Sequence, residues 1–197
     1  MALLYNLGMS ILKIYTDGAC SGNQNEENIG GWGAILEFGK TKKELHGGEA
    51  NTTNNRMELT AVIEAFKALT RNGLDVHVFT DSSYVANCFR EKWYVKWEQN
   101  GWKKSTKGAV ENQELWQELL ALVRRHNVTF YCVKGHVNLN SPSTNIDKHY
   151  DSFVEMNGKS FTMDDFRYIT EMNNRADALA NEGIDEIREE LNEEAPF

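Results

Sequence analysis

Ile11-Leu12-Lys13-Ile14-Tyr15-Thr16-Asp17-Gly18-Ala19-Cys20 alternates at period two and then meets an acid followed by a glycine. Ile11, Lys13 and Tyr15 fall on one side and Leu12, Ile14 and Thr16 on the other, so the stretch reads as a strand running into a turn with Asp17 at its exit. Gly30-Gly31-Trp32-Gly33 leads into an apolar run over 34–38, and residues 43–50 supply a third short extended piece after a polar turn. Three such pieces in succession predict an antiparallel meander.

From Thr53 the period changes. Met57, Ala61, Ala65 and Leu69 form one stripe with Val62 and Phe66 beside it, and Asn72-Gly73 closes the segment, which predicts a helix. Residues 75–80 read as a fourth strand ending at Asp81-Ser82, with helical spacing resuming at Tyr84, Val85, Cys88 and Phe89. Leu115, Leu119 and Leu122 mark a further helix ending near His126, residues 128–133 a fifth strand, and residues 173–187 a final helix. This order predicts an α/β fold, a five-stranded mixed sheet of three antiparallel meander strands plus two parallel ones, flanked by helices.

The stretch 137–170 interrupts that economy, with Asn, Ser, Pro and Gly spread through its first half, and reads as inserted before the last helix. Within it, residues 163–168 suggest a turn or two of helix with Thr162 as cap and Asp165 at the capping-box position. Asp147, His149 and Asp151 read as residues of a solvated loop in preference to a metal position.

Composition sets the class. The 197 residues, 41% of them hydrophobic, suit a single domain with a real core. No run approaches the ~20 apolar residues of a membrane helix. Residues 1–10 read as an N-terminal extension: apolar, yet without the basic start or small-residue cleavage site of an export signal. Cys20, Cys88 and Cys132 are odd in number and widely spaced, which suggests neither a disulfide framework nor a zinc site and points to a reducing, cytoplasmic setting. A formal charge of -8 argues at first against a nucleic-acid partner.

Asp17, Glu58 and Asp81 come from two strand ends and the first turns of a helix, points that such a sheet can bring to one edge. Clustered acids repel one another, so divalent cations must bind there or pKa values must rise; hard oxygen ligands suit Mg²⁺ or Mn²⁺. Spacing alone leaves a plainer alternative open, since an acid at a strand end is commonly a turn or cap residue.

Six local blocks weigh against that alternative: Tyr15-Thr16-Asp17-Gly18-Ala19-Cys20-Ser21-Gly22-Asn23, Gly31-Trp32-Gly33-Ala34-Ile35-Leu36, Thr52-Thr53-Asn54-Asn55-Arg56-Met57-Glu58-Leu59, Phe79-Thr80-Asp81-Ser82, Val133-Lys134-Gly135-His136 and Asn173-Asn174-Arg175-Ala176-Asp177-Ala178-Leu179-Ala180. In this order they resemble type 1 ribonuclease H, the bacterial-style catalytic domain. The resemblance implies a ribonuclease H-like fold and an endoribonuclease that cuts the RNA strand of RNA/DNA hybrids without sequence preference, leaving 5′-phosphate and 3′-hydroxyl ends.

Carried over residue by residue, the resemblance implies that Asp17, Glu58, Asp81 and Asp177 hold two Mg²⁺ ions, with Mn²⁺ as a substitute. His136 then assists proton transfer or product departure. Asn23, Asn54 and Asn55 match minor-groove contacts, Thr53 and Asn112 a grip on a DNA-strand phosphate, and Tyr84 and Trp93 the channel for DNA sugars. On sequence alone Asn54-Asn55 would read as helix-capping residues. The partner implied is the hybrid duplex, with no membrane, and the chain is expected to act as a monomer. A catalytically weak hybrid-binding or partner-binding domain on the same fold is the alternative; retention of all four carboxylates and His136 argues against it.

Residues 90–107 interleave tryptophans with six basic and two acidic residues and resemble the family's basic handle, a surface suited to phosphate; Trp97 and Trp102 are expected to pack the handle against itself. Three departures stand out: Asn51 where relatives often carry arginine, the turn 22–30 where relatives often have a shorter proline-containing loop and where Glu26-Glu27 could repel phosphate, and the long 138–170 stretch between His136 and Asp177, expected to form a flap affecting substrate entry. Residues 181–197 hold seven acids against Arg188 alone. With 188–197 read as an acidic tail, the net charge reports that tail and a metal site and excludes no nucleic-acid partner.

Overall fold

The computed structural model describes residues 11–22, 28–104 and 108–194. Asn23, Glu26, Glu27, the N-terminal extension and the end of the handle therefore lie outside the described residues. The chain runs β1 (Leu12–Ser21), β2 (Ile29–Phe38), β3 (Thr41–Ala50), α1 (Asn54–Lys67), β4 (Asp75–Thr80), α2 (Ser83–Arg90), α3 (Trp93–Gln99), α4 (Gln113–Val123), β5 (Asn127–Cys132), α5 (Ile146–Asn157) and α6 (Met163–Glu194). The strands form one sheet in the order β3-β2-β1-β4-β5, with β1, β2 and β3 antiparallel and β4 and β5 parallel to β1. This is the expected ribonuclease H-like mixed sheet.

Helices cover both faces, which is why β1 is buried along most of its length and not at alternate residues only. On one face Ile14, Leu59, Val62, Ile63, Phe66, Val78, Trp116 and Leu119 make the main core. On the other, Tyr15, Ile35, Phe79, Phe153, Phe166, Ile169 and Leu179 make a second one. Trp97 and Trp102 pack at the margin of the main core, 5.9 Å apart between ring centroids. Cys20, Cys88 and Cys132 carry free thiols, and no helix among the described residues is long and apolar enough to cross a membrane.

Three expectations are corrected. The final helix does not begin near Asn173: α6 is continuous over 32 residues from Met163, and the turn expected over 163–168 is its first part. Thr162 and Asp165 do form the capping box, Thr162 N–H donating to Asp165 Oδ2 at 2.8 Å and Asp165 N–H to Thr162 Oγ1 at 3.1 Å. The preceding stretch is not wholly loop, because α5 occupies its centre and buries Phe153 against the second core. Finally, most of the expected acidic tail is the end of α6, where Glu189, Glu190 and Glu193 are exposed.

Candidate active site

Register alone brings the first two acids together. β1 and β4 are parallel neighbours with Thr16 opposite Thr80, so Asp17 and Asp81, the next residue after each, stand side by side where β4 ends; β1 does not turn there as expected but runs on, paired with β2, to Ser21. The third acid arrives on α1. Thr53 caps that helix, its Oγ1 accepting from Arg56 N–H at 3.3 Å, so the cap is Thr53 and Asn54-Asn55 are its first helical residues. Gly18 lets the helix seat directly on β1, since a Cβ there would lie 2.3 Å from the Glu58 backbone nitrogen. Carboxylate oxygens of Asp17, Glu58 and Asp81 consequently lie within 4.8 Å of one another.

Asp177 reaches the same cleft from α6, outside that 4.8 Å group, and His136 Nδ1 stands 3.8 Å from Asp177 Oδ2. These five residues, with Asn54, Asn55 and Tyr84, line one cleft of about 430 Å³. The acids are its floor: Asp17 and Glu58 are each only 4% exposed. His136 is at the rim, its side chain 76% exposed.

Burial without compensation dominates the electrostatics. Desolvation, followed by the charges of Asp81 and Asp177, holds the Asp17 carboxyl far above the usual carboxylate range. Glu58 is raised well above its ordinary value by burial and then by Asp17 and Asp81, and burial also raises Asp81. Glu58 Oε2 is buried with no hydrogen-bond partner among the described residues. An orphaned buried carboxylate oxygen beside two further acids fits a hard divalent cation, which would supply the missing partner and the missing positive charge.

These shifts predict how the metal-free protein responds to pH. A carboxyl whose folded pKa exceeds its unfolded value of about 4 binds more protons in the native state, so its contribution to stability is lost as pH rises through the folded pKa. Burial lowers His77 and His126, whose titration opposes this trend only in the more acidic range. Between pH 7 and 8.5 in EDTA the melting temperature should therefore fall, and Mg²⁺ should raise it more at pH 8.5 than at pH 7. A rising Tm across that interval would contradict the assignment of the shifts.

A second group lies beside the cleft. Tyr84 OH accepts from Trp116 Nε1 at 2.8 Å and from Asn112 Nδ2 at 3.4 Å. Arg56 Nη1 donates to Asn112 Oδ1 at 3.4 Å and to Glu114 at 2.6 Å. Since Arg56 also donates its backbone N–H to Thr53, it links Thr53 and Asn112, a role that its position in the Thr52–Leu59 motif does not reveal. Trp93 sits on α3, its Nε1 bonded to Glu91 at 2.7 Å. Lys92, Lys96, Lys103 and Lys104 of the handle are exposed.

Carboxylates gathered beside the carboxyl end of β4, from β1 and from the helices packed on the sheet, define an α/β enzyme with an acidic catalytic cleft. Comparisons with known proteins narrow the class. The RNase H family model matches residues 9–153. Ribonuclease H of Thermoanaerobacter sp. (strain X514) is 54% identical over 130 residues, covering 66% of this chain and 81% of the relative. That of Chlorobium luteolum is 54% identical over 125 residues, covering 64% and 83%. The crystal structure of LC9-RNase H1, a type 1 RNase H with the type 2 active-site motif, superposes with a TM-score of 0.58 at 32% identity, over 79% of this chain and 76% of that one. The chain belongs to the ribonuclease H family, and is a hydrolase of that type.

Proposed function

We propose that this chain is an endoribonuclease that hydrolyses the RNA strand of RNA/DNA hybrids, independent of sequence, leaving 5′-phosphate and 3′-hydroxyl ends. The observation that carries the reading is the convergence of Asp17, Glu58 and Asp81 on the floor of a cleft whose wall bears Asn54 and Asn55.

Asp17, Glu58, Asp81 and Asp177 would hold two Mg²⁺ ions, with Mn²⁺ as a substitute. Bound there, the ions supply an activated water and stabilise charge on the leaving oxygen. The residues around them have distinct tasks. Because the floor is buried, its acids ionise fully only against positive charge, which ties an active site to a loaded one. His136 is at the rim and beside Asp177, where its imidazole can hold or release a proton without being part of the floor.

Recognition follows from the wall. An A-like hybrid presents its 2′-hydroxyls in the minor groove, and amide side chains can both donate to and accept from such groups. Asn54 and Asn55 are placed for that contact, and Asn23 is assigned to it by the motif. Thr53 and Asn112 offer hydroxyl and amide donors to a phosphate of the DNA strand, with Tyr84 and Trp93 shaping the path of its sugars. Lys92, Lys96, Lys103 and Lys104 steer the duplex through the handle. We place the enzyme in the cytoplasm, acting as a monomer.

The test is cleavage of an end-labelled RNA/DNA hybrid by the full chain in Mg²⁺, in EDTA, and by Asp81→Asn. Cleavage in Mg²⁺ only, with the variant reduced by at least about 10²-fold, is expected. Undiminished cutting by Asp81→Asn would overturn the reading.

A further inference from the structure

β5 is an edge strand, and an edge leaves main-chain N–H and C=O groups open. At Cys132, its last residue, they are not open. Asn157, the last residue of α5, accepts from Cys132 N–H through Oδ1 at 2.9 Å and donates Nδ2 to the Cys132 carbonyl at 2.7 Å. One side-chain amide thus replaces a residue of a neighbouring strand. Arg90 secures the same junction, donating Nη2 to the Met156 carbonyl at 2.5 Å and Nη1 to Cys132 Sγ at 3.2 Å.

The chain then rises through an arch, residues 133–137, with His136 near its far end. The other foot is also tied: Asn174 Nδ2, one turn before Asp177 on α6, donates to the Val137 carbonyl at 2.9 Å. Val133 and Val137 are each only 5% exposed. Between the feet, Gly135 lies against Asp81, where a Cβ would fall 2.1 Å from Oδ2. His136 has φ +56°, a left-handed conformation that is unfavourable for a non-glycine residue and persists only where the surroundings enforce it.

Packing from behind does not enforce it. A cavity of about 290 Å³ separates the arch from α5, lined by Gly135, His149, Ser152, Phe153 and Asp81 among others, so a released arch has space to relax into. Its feet are fixed by the burial of Val133 and Val137, by the Val133 N–H bond to the Thr80 carbonyl at 2.9 Å and by the two amide tethers, which are the side-chain ties. We propose that α5 is a brace: Asn157 and Asn174 are positioning residues that hold the arch, and with it His136, opposite Asp177 for the hydrolytic step. This rests on the hydrolase reading above, with His136 as a group that acts on the reacting phosphate. Residues positioned by supporting hydrogen bonds commonly lose ten-fold or more in activity when the support is removed.

The test uses the full chain and the labelled hybrid in Mg²⁺, with Asn157→Ala, Asn174→Ala, His136→Ala and the His136→Ala/Asn157→Ala double variant, alongside amide hydrogen exchange of each protein. Asn157→Ala and Asn174→Ala should each lower kcat by about ten-fold with KM within two-fold, and should speed exchange over 133–137. In the His136→Ala background, Asn157→Ala should lower kcat no further, because its effect runs through His136. Losses that multiply in the double variant, or unchanged exchange in the arch, would overturn the proposal. If Asn157→Ala fails to fold, Asn174→Ala at the opposite foot carries the same cycle. An unmodified chain inert on the hybrid would reject the hydrolase reading, while exchange in the arch would still judge the brace.

Discussion

Replacing Asp17 by asparagine should abolish hydrolysis and, in the same protein without metal, raise its stability. Both effects come from one arrangement. Asp17 is 4% exposed, stands between Asp81 and Asp177, and receives a single compensating backbone bond from Gly18 N–H at 2.9 Å. Its ionised form is thus penalised by burial and by two like charges, and each pKa unit of that penalty is about 1.4 kcal/mol. An amide of the same shape carries no charge to desolvate and keeps the oxygen that accepts from Gly18. At pH 8 in EDTA, Asp17→Asn should gain about 1–3 kcal/mol, and its Tm should lose most of the pH dependence expected of the parent between pH 7 and 8.5. Activity moves the other way, because the amide is a poor ligand for a hard cation. A fall in kcat of at least about 10³-fold is expected, more than the 10- to 100-fold typical of losing an outer-shell partner. Calorimetry in EDTA and hybrid cleavage in Mg²⁺ check the pair. A destabilised variant would mean that Asp17 makes a favourable contact in the metal-free protein, and a variant retaining a tenth of the activity would remove it from the machinery.

The same residue shows how far the sequence reaches. Period-two alternation followed by Asp-Gly suggests that the first strand ends at Asp17, whereas β1 stays paired with β2 through Ser21 and Asp17 lies within it, opposite Gly33; only Asp81 follows the end of its strand. That the two acids sit side by side depends on the Thr16–Thr80 register of two parallel strands, which no local pattern encodes. Motif order supplied it. The continuity of α6 was hidden for another reason: its inward face carries Thr170 and Asn173, each 1% exposed, so polar residues interrupt the apolar stripe where the helix is most buried. Thr170 Oγ1 and both amide atoms of Asn173 have no hydrogen-bond partner among the described residues. α5 was missed because Phe153 is its one fully buried residue and its approach is rich in turn formers. Asn157 could not be read at all: it bonds the main chain of Cys132, and a main-chain partner leaves no trace in sequence.

Truncating Trp116 to alanine should cost more stability than any change at the cleft. Trp116 is fully buried on α4, with ring centroids 5.2 Å from Tyr84, 5.5 Å from Trp97 and 6.0 Å from Phe89. Removing the indole opens a cavity among these rings, a loss of about 3–5 kcal/mol, which is a large share of the roughly 5–15 kcal/mol available to a domain. For a chain of this length the Tm should fall by roughly 6–20 °C. Trp116→Phe separates packing from hydrogen bonding. It retains an aromatic ring but deletes the Nε1–H that holds Tyr84 OH at 2.8 Å, leaving the long 3.4 Å contact from Asn112 as that oxygen's remaining donor. The stability cost should be smaller, about 1–3 kcal/mol. Because Tyr84 lines the cleft and Asn112 is tied to it, the freed phenol should loosen the grip on the DNA strand proposed for these residues, raising KM for the hybrid several-fold while kcat stays within two-fold. A fall in kcat at unchanged KM would instead connect Trp116 to the acidic floor, and a Trp116→Ala protein melting within a few degrees of the parent would show that the neighbouring rings close the gap that the indole leaves.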